Sequence, residues 1–225
     1  MVAYDRAGIG GSEADGHAPT PTHVARKLHA LLTSLGVDPP YVLVGHSWGG
    51  LLIRMFAAIY PEEVAGLVYV DPTDPRSLEK NLAYLQASGY SADAAREFLE
   101  AHRERLSQFV RSQSGAYRAE MEVIQAAELN DFAEFRELPP LSRVPVSVLL
   151  ANRLETQMWA GRPCVPVVCR DEYMRQRIKA LKLLAPPGPD SALTLSDESG
   201  HVIQRDQPFL VASAIRRVLA LRSAR

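Results

Sequence analysis

A short apolar segment that ends at a serine between glycines constrains this chain more than any other feature. Residues 41–44, "YVLV", are typical of a buried strand, and the next residues, "GHSWGG", lead into a helical pattern. The segment therefore predicts a strand, a tight turn and a helix in direct succession. Two explanations for Ser47 are open at this point: a small residue that the turn requires, or a nucleophile held on a strained turn.

Strand-like and helix-like segments alternate along the chain. Continuous apolar runs predict strands at residues 2–4, 41–45, 66–71, 144–152 and 191–197. Amphipathic spacing predicts helices over residues 22–36, 49–60 and 207–222. Apolar strands that alternate with amphipathic helices favour an α/β fold, a mostly parallel sheet with helices on both faces.

Residues 75–138 interrupt this alternation, because long helical patterns follow one another there without a strand between them. The sequence therefore predicts a core formed by residues 1–74 and 139–225, with residues 75–138 inserted as a helical lid. Several large apolar side chains of the lid suggest a substrate with an apolar part, although packing within the lid explains them equally well: Tyr84, Leu85, Tyr90, Phe98 and Phe109.

Composition and charge narrow the possible partners. The net charge of -1 provides no basic excess for binding nucleic acid or an anionic membrane. We interpret Cys164 and Cys169 as free thiols, since two cysteines at this spacing form neither a disulfide framework nor a metal-binding pattern. The N-terminal residues do not resemble a signal peptide, and the apolar stretch near residues 41–60 is too interrupted to span a bilayer. These features favour a cytoplasmic protein.

The pattern around Ser47 favours a nucleophile. Residues 45–49 match G-x-S-x-G, and the motif needs a strand before it and a helix after it, as the pattern predicts here. We expect side chains larger than hydrogen at the flanking glycines to collide in such a turn. The Ser47 hydroxyl then lies above the carboxyl end of the sheet, where the helix dipole favours developing negative charge. A serine nucleophile also needs a base within hydrogen-bond distance.

Segments along nearly the whole chain resemble the α/β-hydrolase superfamily. The segment "LVGHSWGG" is similar to the family's nucleophile elbow, the tight turn that carries the serine. Before it, "VAYDRAGIGGS" is similar to the family's preceding strand and loop, and after it "AGLVYVDP" is similar to the next strand. Near the end of the sequence, "SGHVIQRDQPFLVASAIRRVL" is similar to the histidine loop and the last helix. Among its members, the chain is similar to lid-bearing serine esterases. The resemblance implies hydrolysis of an ester-like small molecule through an acyl-enzyme on Ser47, with no metal ion and no organic cofactor.

The resemblance also implies partners for Ser47. His201 matches the family's general base, and the backbone N–H of Trp48 matches one oxyanion donor. The acid has alternatives: we favour Asp71, which ends one predicted strand, over Glu155, which follows the next, and Asp197 is a third candidate. We interpret the other histidines of the N-terminal part as structural or surface residues: His17, His23, His29 and His46.

Relatives carry three strands and a helix before the segment that is similar to "VAYD", together with a loop that provides a second oxyanion donor. This chain does not contain them, and one of these strands belongs between residues 2–4 and 41–45. We therefore expect low stability and self-association through unpaired strand edges. Two functions remain open: a serine hydrolase, or an inactive truncated remnant or binding protein that keeps the elbow as a scaffold.

Overall fold

A parallel sheet forms the centre of the structure. A computed structural model of the chain describes residues 1–75, 77–87, 89–153, 171, 174–175, 177–179, 181, 184–185 and 188–223, without the side chains of 77–80 and 84. The strands are β1 (Tyr41–His46), β2 (Val64–Val70), β3 (Val146–Ala151) and β4 (Ser191–Ser196). They pair in the order β1-β2-β3-β4, and each pair is parallel.

Helices precede, separate and follow the strands along the chain. They are α1 (Pro21–Ser34), α2 (Trp48–Ile59), α3 (Ser77–Ala87), α4 (Ala92–Ser112), α5 (Gly115–Leu129), α6 (Ala133–Arg136), α7 (Ile203–Asp206) and α8 (Pro208–Ser223). A short 3-10 turn, Pro61–Glu63, joins α2 to β2. Among the described residues, no helix is both long enough and apolar enough to cross a membrane.

Helices cover both faces of the sheet, which confirms the predicted fold class. On one face, α1 and α2 pack with apolar residues of β1, β2 and β3 in a large core that includes Leu51, Phe56 and Leu67. On the other face, Val68 and Leu149 belong to a smaller cluster with side chains of α7 and α8. Every residue of β2 and β3 is buried, which explains why these strands are continuously apolar in the sequence.

The helices α3 to α6 lie between β2 and β3 in the sequence, where the helical lid was expected. The division into core and lid at residues 75 and 138 stays a prediction. Within this segment, the rings of Tyr90 and Phe98 are in edge contact at 5.9 Å, and Leu85 is buried. Phe109 is exposed to solvent, and the side chain of Tyr84 lies outside the described part. These contacts favour packing within the lid for Tyr90 and Phe98.

The prediction of a strand at residues 2–4 is wrong. This segment forms no strand, and Val2 and Tyr4 are exposed. A three-residue strand depends on a paired neighbour, and β1 lies at an edge of the described sheet with its paired side towards β2. The next residues are held by other contacts, among them an ion pair between Arg6 and Glu120 of α5. Self-association through strand edges stays a prediction.

The turn between β1 and α2 is as tight as the sequence indicated. Ser47 has a φ of 52° and a ψ of -123°, a conformation that L residues rarely adopt. A Cβ atom at Gly45 would lie 2.3 Å from the carbonyl oxygen of Gly49, and one at Gly50 would lie 2.6 Å from Pro72 Cβ. At Gly49 itself, a Cβ atom would meet nothing within 4 Å. The expected collision is therefore found at Gly45 but not at Gly49.

This asymmetry predicts opposite effects of the same substitution at the two glycines of the motif. Gly45→Ala should lower the free energy of unfolding by about 1–3 kcal/mol, because the new methyl group meets backbone that cannot move independently. Gly49→Ala should leave it unchanged or raise it by up to about 1 kcal/mol, because alanine favours helix. Urea unfolding of both variants measures the difference, and equal stabilities would contradict the steric account.

Candidate active site

Three side chains from distant parts of the sequence form a hydrogen-bond chain at the carboxyl end of the sheet. The hydroxyl of Ser47 lies 3.0 Å from His201 Nε2, and His201 Nδ1 lies 2.6 Å from Asp71 Oδ2. With a neutral imidazole protonated on Nδ1, Ser47 donates to His201 and His201 donates to Asp71. The structure thus brings together the predicted nucleophile, the predicted base and the preferred acid.

The parallel sheet explains why Ser47 and Asp71 are close. Ser47 directly follows β1 and Asp71 directly follows β2, and these neighbouring strands end side by side at His46 and Val70. The amide of Ser47 donates to the carbonyl of Val70 at 3.1 Å, so the pairing continues into the turn. Sheet register therefore sets the separation of the two functional groups.

Hydrogen bonds at His201 and at the residue before it help to fix the loop that carries the histidine. The amide of Gly200 donates to Asp206 Oδ2 at 3.0 Å, and His46 Nε2 donates to the carbonyl oxygen of His201 at 2.8 Å. The rings of His46 and His201 also lie 4.6 Å apart. Burial lowers the pKa of His46, which keeps its ring uncharged beside His201. The sequence interpretation of His46 as structural missed this contact with the base.

Asp71 is buried and its carboxylate is fully bonded. Its Oδ1 accepts hydrogen bonds from the amide of Ala151 at 2.8 Å and from Arg177 Nη1 at 2.9 Å. Burial raises the pKa of Asp71, but the hydrogen bond from His201, the charge of Arg177 and the Ala151 amide together hold it below its ordinary value. Asp71 is therefore ionised at neutral pH and can hold the imidazole in one tautomer.

The other candidate acids have different positions. Asp197 is exposed, and its carboxylate accepts a hydrogen bond from Asn152 Nδ2. Glu155 lies outside the described residues. Among the described carboxylates, Asp71 is the one that His201 Nδ1 contacts.

Trp48 begins α2, so its backbone N–H belongs to the first turn, where amides have no partner within the helix. The indole ring is buried and contacts two rings from the end of the helical insertion, Phe135 at 5.7 Å and Phe132 at 6.4 Å. Sequence reasoning chose other aromatic residues of the lid and missed these two. Their position next to the elbow residue could not be read from spacing.

The remaining N-terminal histidines have ordinary surface contacts. His29 Nε2 lies 3.1 Å from Glu63, and its ring stacks on Tyr60 at 4.2 Å. Asp15, His17 and His23 bring three possible metal-ligand atoms within 4.8 Å of one another. The same Asp15 oxygen already bonds His23 at 2.8 Å and Lys27 at 3.1 Å. Lys27 thus supplies a positive charge beside the Asp15 carboxylate.

Both Ser47 and His201 are accessible from solvent. The His201 side chain is 40% exposed, whereas Asp71 behind it is 5% exposed. A half-buried serine hydroxyl bonded to an imidazole, which in turn bonds a buried carboxylate, can attack an electrophilic carbon and transfer the hydroxyl proton. The geometry fits nucleophilic catalysis of acyl transfer.

The chain is similar to several known proteins. The uncharacterized protein YqjL of Bacillus subtilis is 36% identical over 72 residues, which are 32% of this chain and 28% of YqjL. Lipase LipV of Mycobacterium tuberculosis is 51% identical over 45 residues, 20% of this chain and 17% of LipV. A thermophilic esterase from Thermogutta terrifontis, solved with malate bound, is similar at a TM-score of 0.53 and 25% identity, over 96% of this chain and 77% of the esterase.

The matched stretches span less than a third of the two curated relatives, so their names alone do not describe the whole protein. The match to a family model is far more extensive, because the model of the alpha/beta hydrolase family matches residues 1–214. These residues include all three members of the hydrogen-bond chain, Ser47, His201 and Asp71. The chain therefore belongs to the alpha/beta hydrolase family.

Proposed function

We propose that this protein is a serine hydrolase that cleaves a carboxylic ester or a related acyl substrate through an acyl-enzyme on Ser47. The hydrogen-bond chain from Ser47 through His201 to Asp71 carries this proposal. Membership of the alpha/beta hydrolase family and the likeness to an esterase at 25% identity support it. The alternative, a non-catalytic protein that keeps the elbow as a scaffold, does not explain why the acid is buried and the base accessible.

In the first half of the reaction, the Ser47 oxygen attacks the carbonyl carbon of the ester while its proton passes to His201 Nε2. The protonated imidazole then gives this proton to the leaving alcohol as the carbon–oxygen bond breaks. An acyl group remains on Ser47. Asp71 keeps its negative charge throughout and stabilises the imidazolium without accepting the proton.

In the second half, a water molecule takes the place of the alcohol. His201 Nε2 accepts a proton from this water, and the resulting hydroxide attacks the acyl carbon. The proton returns to the Ser47 oxygen as the acyl bond breaks, and the carboxylic acid leaves. Solvent access to His201 serves this step, because the water must reach the imidazole.

The negative charge that develops on the carbonyl oxygen needs donors that are already in place. We assign the Trp48 backbone N–H as one donor, since it stands in the first turn of α2 directly after the nucleophile. The positive end of the α2 dipole acts in the same direction. A single donor of this kind typically contributes about 10²–10³ in turnover.

The surroundings of the elbow favour a substrate with an apolar part. Trp48, Phe132 and Phe135 form an aromatic cluster where the end of the helical insertion meets α2. All three side chains are buried, so the cluster supports the elbow from the core side. We favour an ester whose acyl or alcohol part is apolar over a strongly charged one, because sites for small organic ligands are mostly lined by apolar residues.

Ser47 should react covalently with a fluorophosphonate probe. Attack on phosphorus requires the same activated oxygen as attack on an ester, and the product is stable enough for peptide mapping. We expect labelling of the peptide that contains Ser47, and no labelling of Ser47→Ala or of His201→Gln. Ser112, whose hydroxyl bonds a helix carbonyl, provides a matched control: Ser112→Ala should be labelled like the parent protein.

Absence of labelling in a folded protein would reject the hydrolase proposal and favour the non-catalytic alternative. Labelling that persists in His201→Gln at the parent rate would show that Ser47 is activated by another group. Circular dichroism of each variant establishes that the fold is kept.

Asp71→Asn should reduce kcat for an aryl ester by about 10³–10⁴, because an amide at this position favours the wrong imidazole tautomer. Asp197→Asn is the matched control and should leave kcat nearly unchanged, since Asp197 bonds Asn152 and is exposed. Glu155→Gln should also have a mild effect. A severe loss in Glu155→Gln together with a mild loss in Asp71→Asn would move the acid to Glu155.

A further inference from the structure

A buried arginine stands next to the acid of the hydrogen-bond chain. Arg177 Nη1 donates to Asp71 Oδ1 at 2.9 Å, and Arg177 Nη2 donates to the carbonyl oxygen of Pro72 at 3.1 Å. The Arg177 side chain is 7% exposed. It contacts the Asp71 oxygen that His201 does not use, so the two side chains hold opposite ends of one carboxylate.

This arrangement fixes the rotation of the carboxylate. Asp71 Oδ1 has two donors, the Ala151 amide and Arg177, which leaves Oδ2 for His201. Asp71 also has a φ of 42°, so its backbone is held in a conformation that few residues adopt. A carboxylate that is bonded on both oxygens orients the imidazole more narrowly than one that can rotate.

The same arginine contacts a second buried carboxylate. Arg177 Nε lies 3.3 Å from Asp74 Oδ2 and 3.4 Å from Asp74 Oδ1, and the Asp74 side chain is 1% exposed. Asp71, Asp74 and Arg177 thus carry two negative charges and one positive charge. If Arg177 faced Asp71 alone, its charge would oppose the stabilisation of a positive imidazole. A second carboxylate on the guanidinium offsets that effect.

We propose that Arg177 and Asp74 act together as positioning residues for Asp71. Arg177 fixes the orientation of the Asp71 carboxylate, and Asp74 offsets the charge of Arg177 so that Asp71 stabilises the positive form of His201. The inference rests on the proposed function, in which His201 becomes positively charged during each half of the reaction.

The other groups that face His201 do not supply this charge. Ser47 is a neutral donor to Nε2, and the Ala151 amide is a neutral donor to Asp71. His46 lies against the imidazole, but burial lowers its pKa and it is uncharged at neutral pH. Among the described residues, Arg177 is the charged side chain that bonds Asp71 besides His201, and Asp74 contacts Arg177 in turn. Asp206 bonds the amide of Gly200 next to His201 and is the same in every variant compared below.

The two residues should shift the titration of His201 in opposite directions. Loss of the cation in Arg177→Met leaves more negative potential at the imidazole, which should move its titration midpoint up by about 0.5–1 pH unit. Loss of the second carboxylate in Asp74→Asn leaves the guanidinium acting on Asp71 alone, which should move the midpoint down by a similar amount. Arg177→Lys keeps the charge and should restore most of the parent value.

Histidine ring NMR measures these midpoints directly, with the His201 signals assigned by their absence in His201→Gln. The acidic limb of kcat/KM against pH should move with them, because the base must be unprotonated. In Arg177→Met we also expect kcat to fall roughly tenfold with KM changed less than about twofold, since Arg177 acts behind Asp71. The exposed neighbour Arg175 gives the matched control, and Arg175→Met should shift neither measurement.

Opposite shifts in Arg177→Met and Asp74→Asn support the proposal, whereas shifts in the same direction, or none, overturn it. If Arg177→Met does not fold, Asp74→Asn decides alone, by a downward shift or its absence. The NMR titration needs no turnover, so it separates this inference from the proposed function. If the His201 midpoint shifts in opposite directions in the two variants but Ser47 is not labelled, the hydrolase proposal is rejected and the positioning role is kept. If Ser47 is labelled but the midpoint does not shift, the role of Arg177 and Asp74 is rejected.

Discussion

The carboxylate of Asp71 joins parts of the chain that are far apart in the sequence. It lies directly after β2, accepts a hydrogen bond from the amide of Ala151 at the end of β3, and contacts both Arg177 and His201. A buried charge is costly unless every oxygen is bonded, and an unpaired one can cost several kcal/mol. The site therefore exists only while these partners are present together. Sheet, histidine loop and Arg177 are linked through one side chain.

The position of Asp71 itself follows from the sheet. Its amide donates to the carbonyl of Leu149 at 2.8 Å, which continues the pairing of β2 with β3 beyond the last regular residue. Ser47 continues the pairing of β1 with β2 in the same way. The nucleophile and the acid thus extend the pairing of neighbouring strands, and this pairing sets the distance between them.

Local pattern sufficed to predict the features that depend on neighbouring residues in the sequence. The strand β2 is apolar throughout because it is buried on both faces, and the helix predicted over residues 22–36 is found as α1, Pro21–Ser34. The prediction of a strand at residues 2–4 was wrong, because so short a strand forms only when a strand from elsewhere in the sequence pairs with it. The steric collision expected at Gly49 was also wrong, because the space beside this residue depends on the direction in which α2 leaves the turn.

Arg177 and Asp74 could not be predicted for a related reason. They are 103 residues apart, and Arg177 lies in the segment "MRQRIKALK", whose basic pattern is typical of a solvent-exposed helix face. The contacts of Trp48 with Phe132 and Phe135 likewise depend on how the end of the insertion returns to α2. Residue type identified the chemistry of the site, whereas its supporting contacts arise from tertiary packing.

The loop around His201 has a consequence of its own. Two of its anchoring bonds use the amide of Gly200 and the carbonyl of His201, which are main-chain atoms that any residue other than proline provides. The imidazole is therefore not what keeps the loop in place. If the ring were removed, the loop would still frame a gap of its size between Ser47 and Asp71, open to water on one side. Imidazole dissolved in the medium could enter that gap and take over the proton transfers.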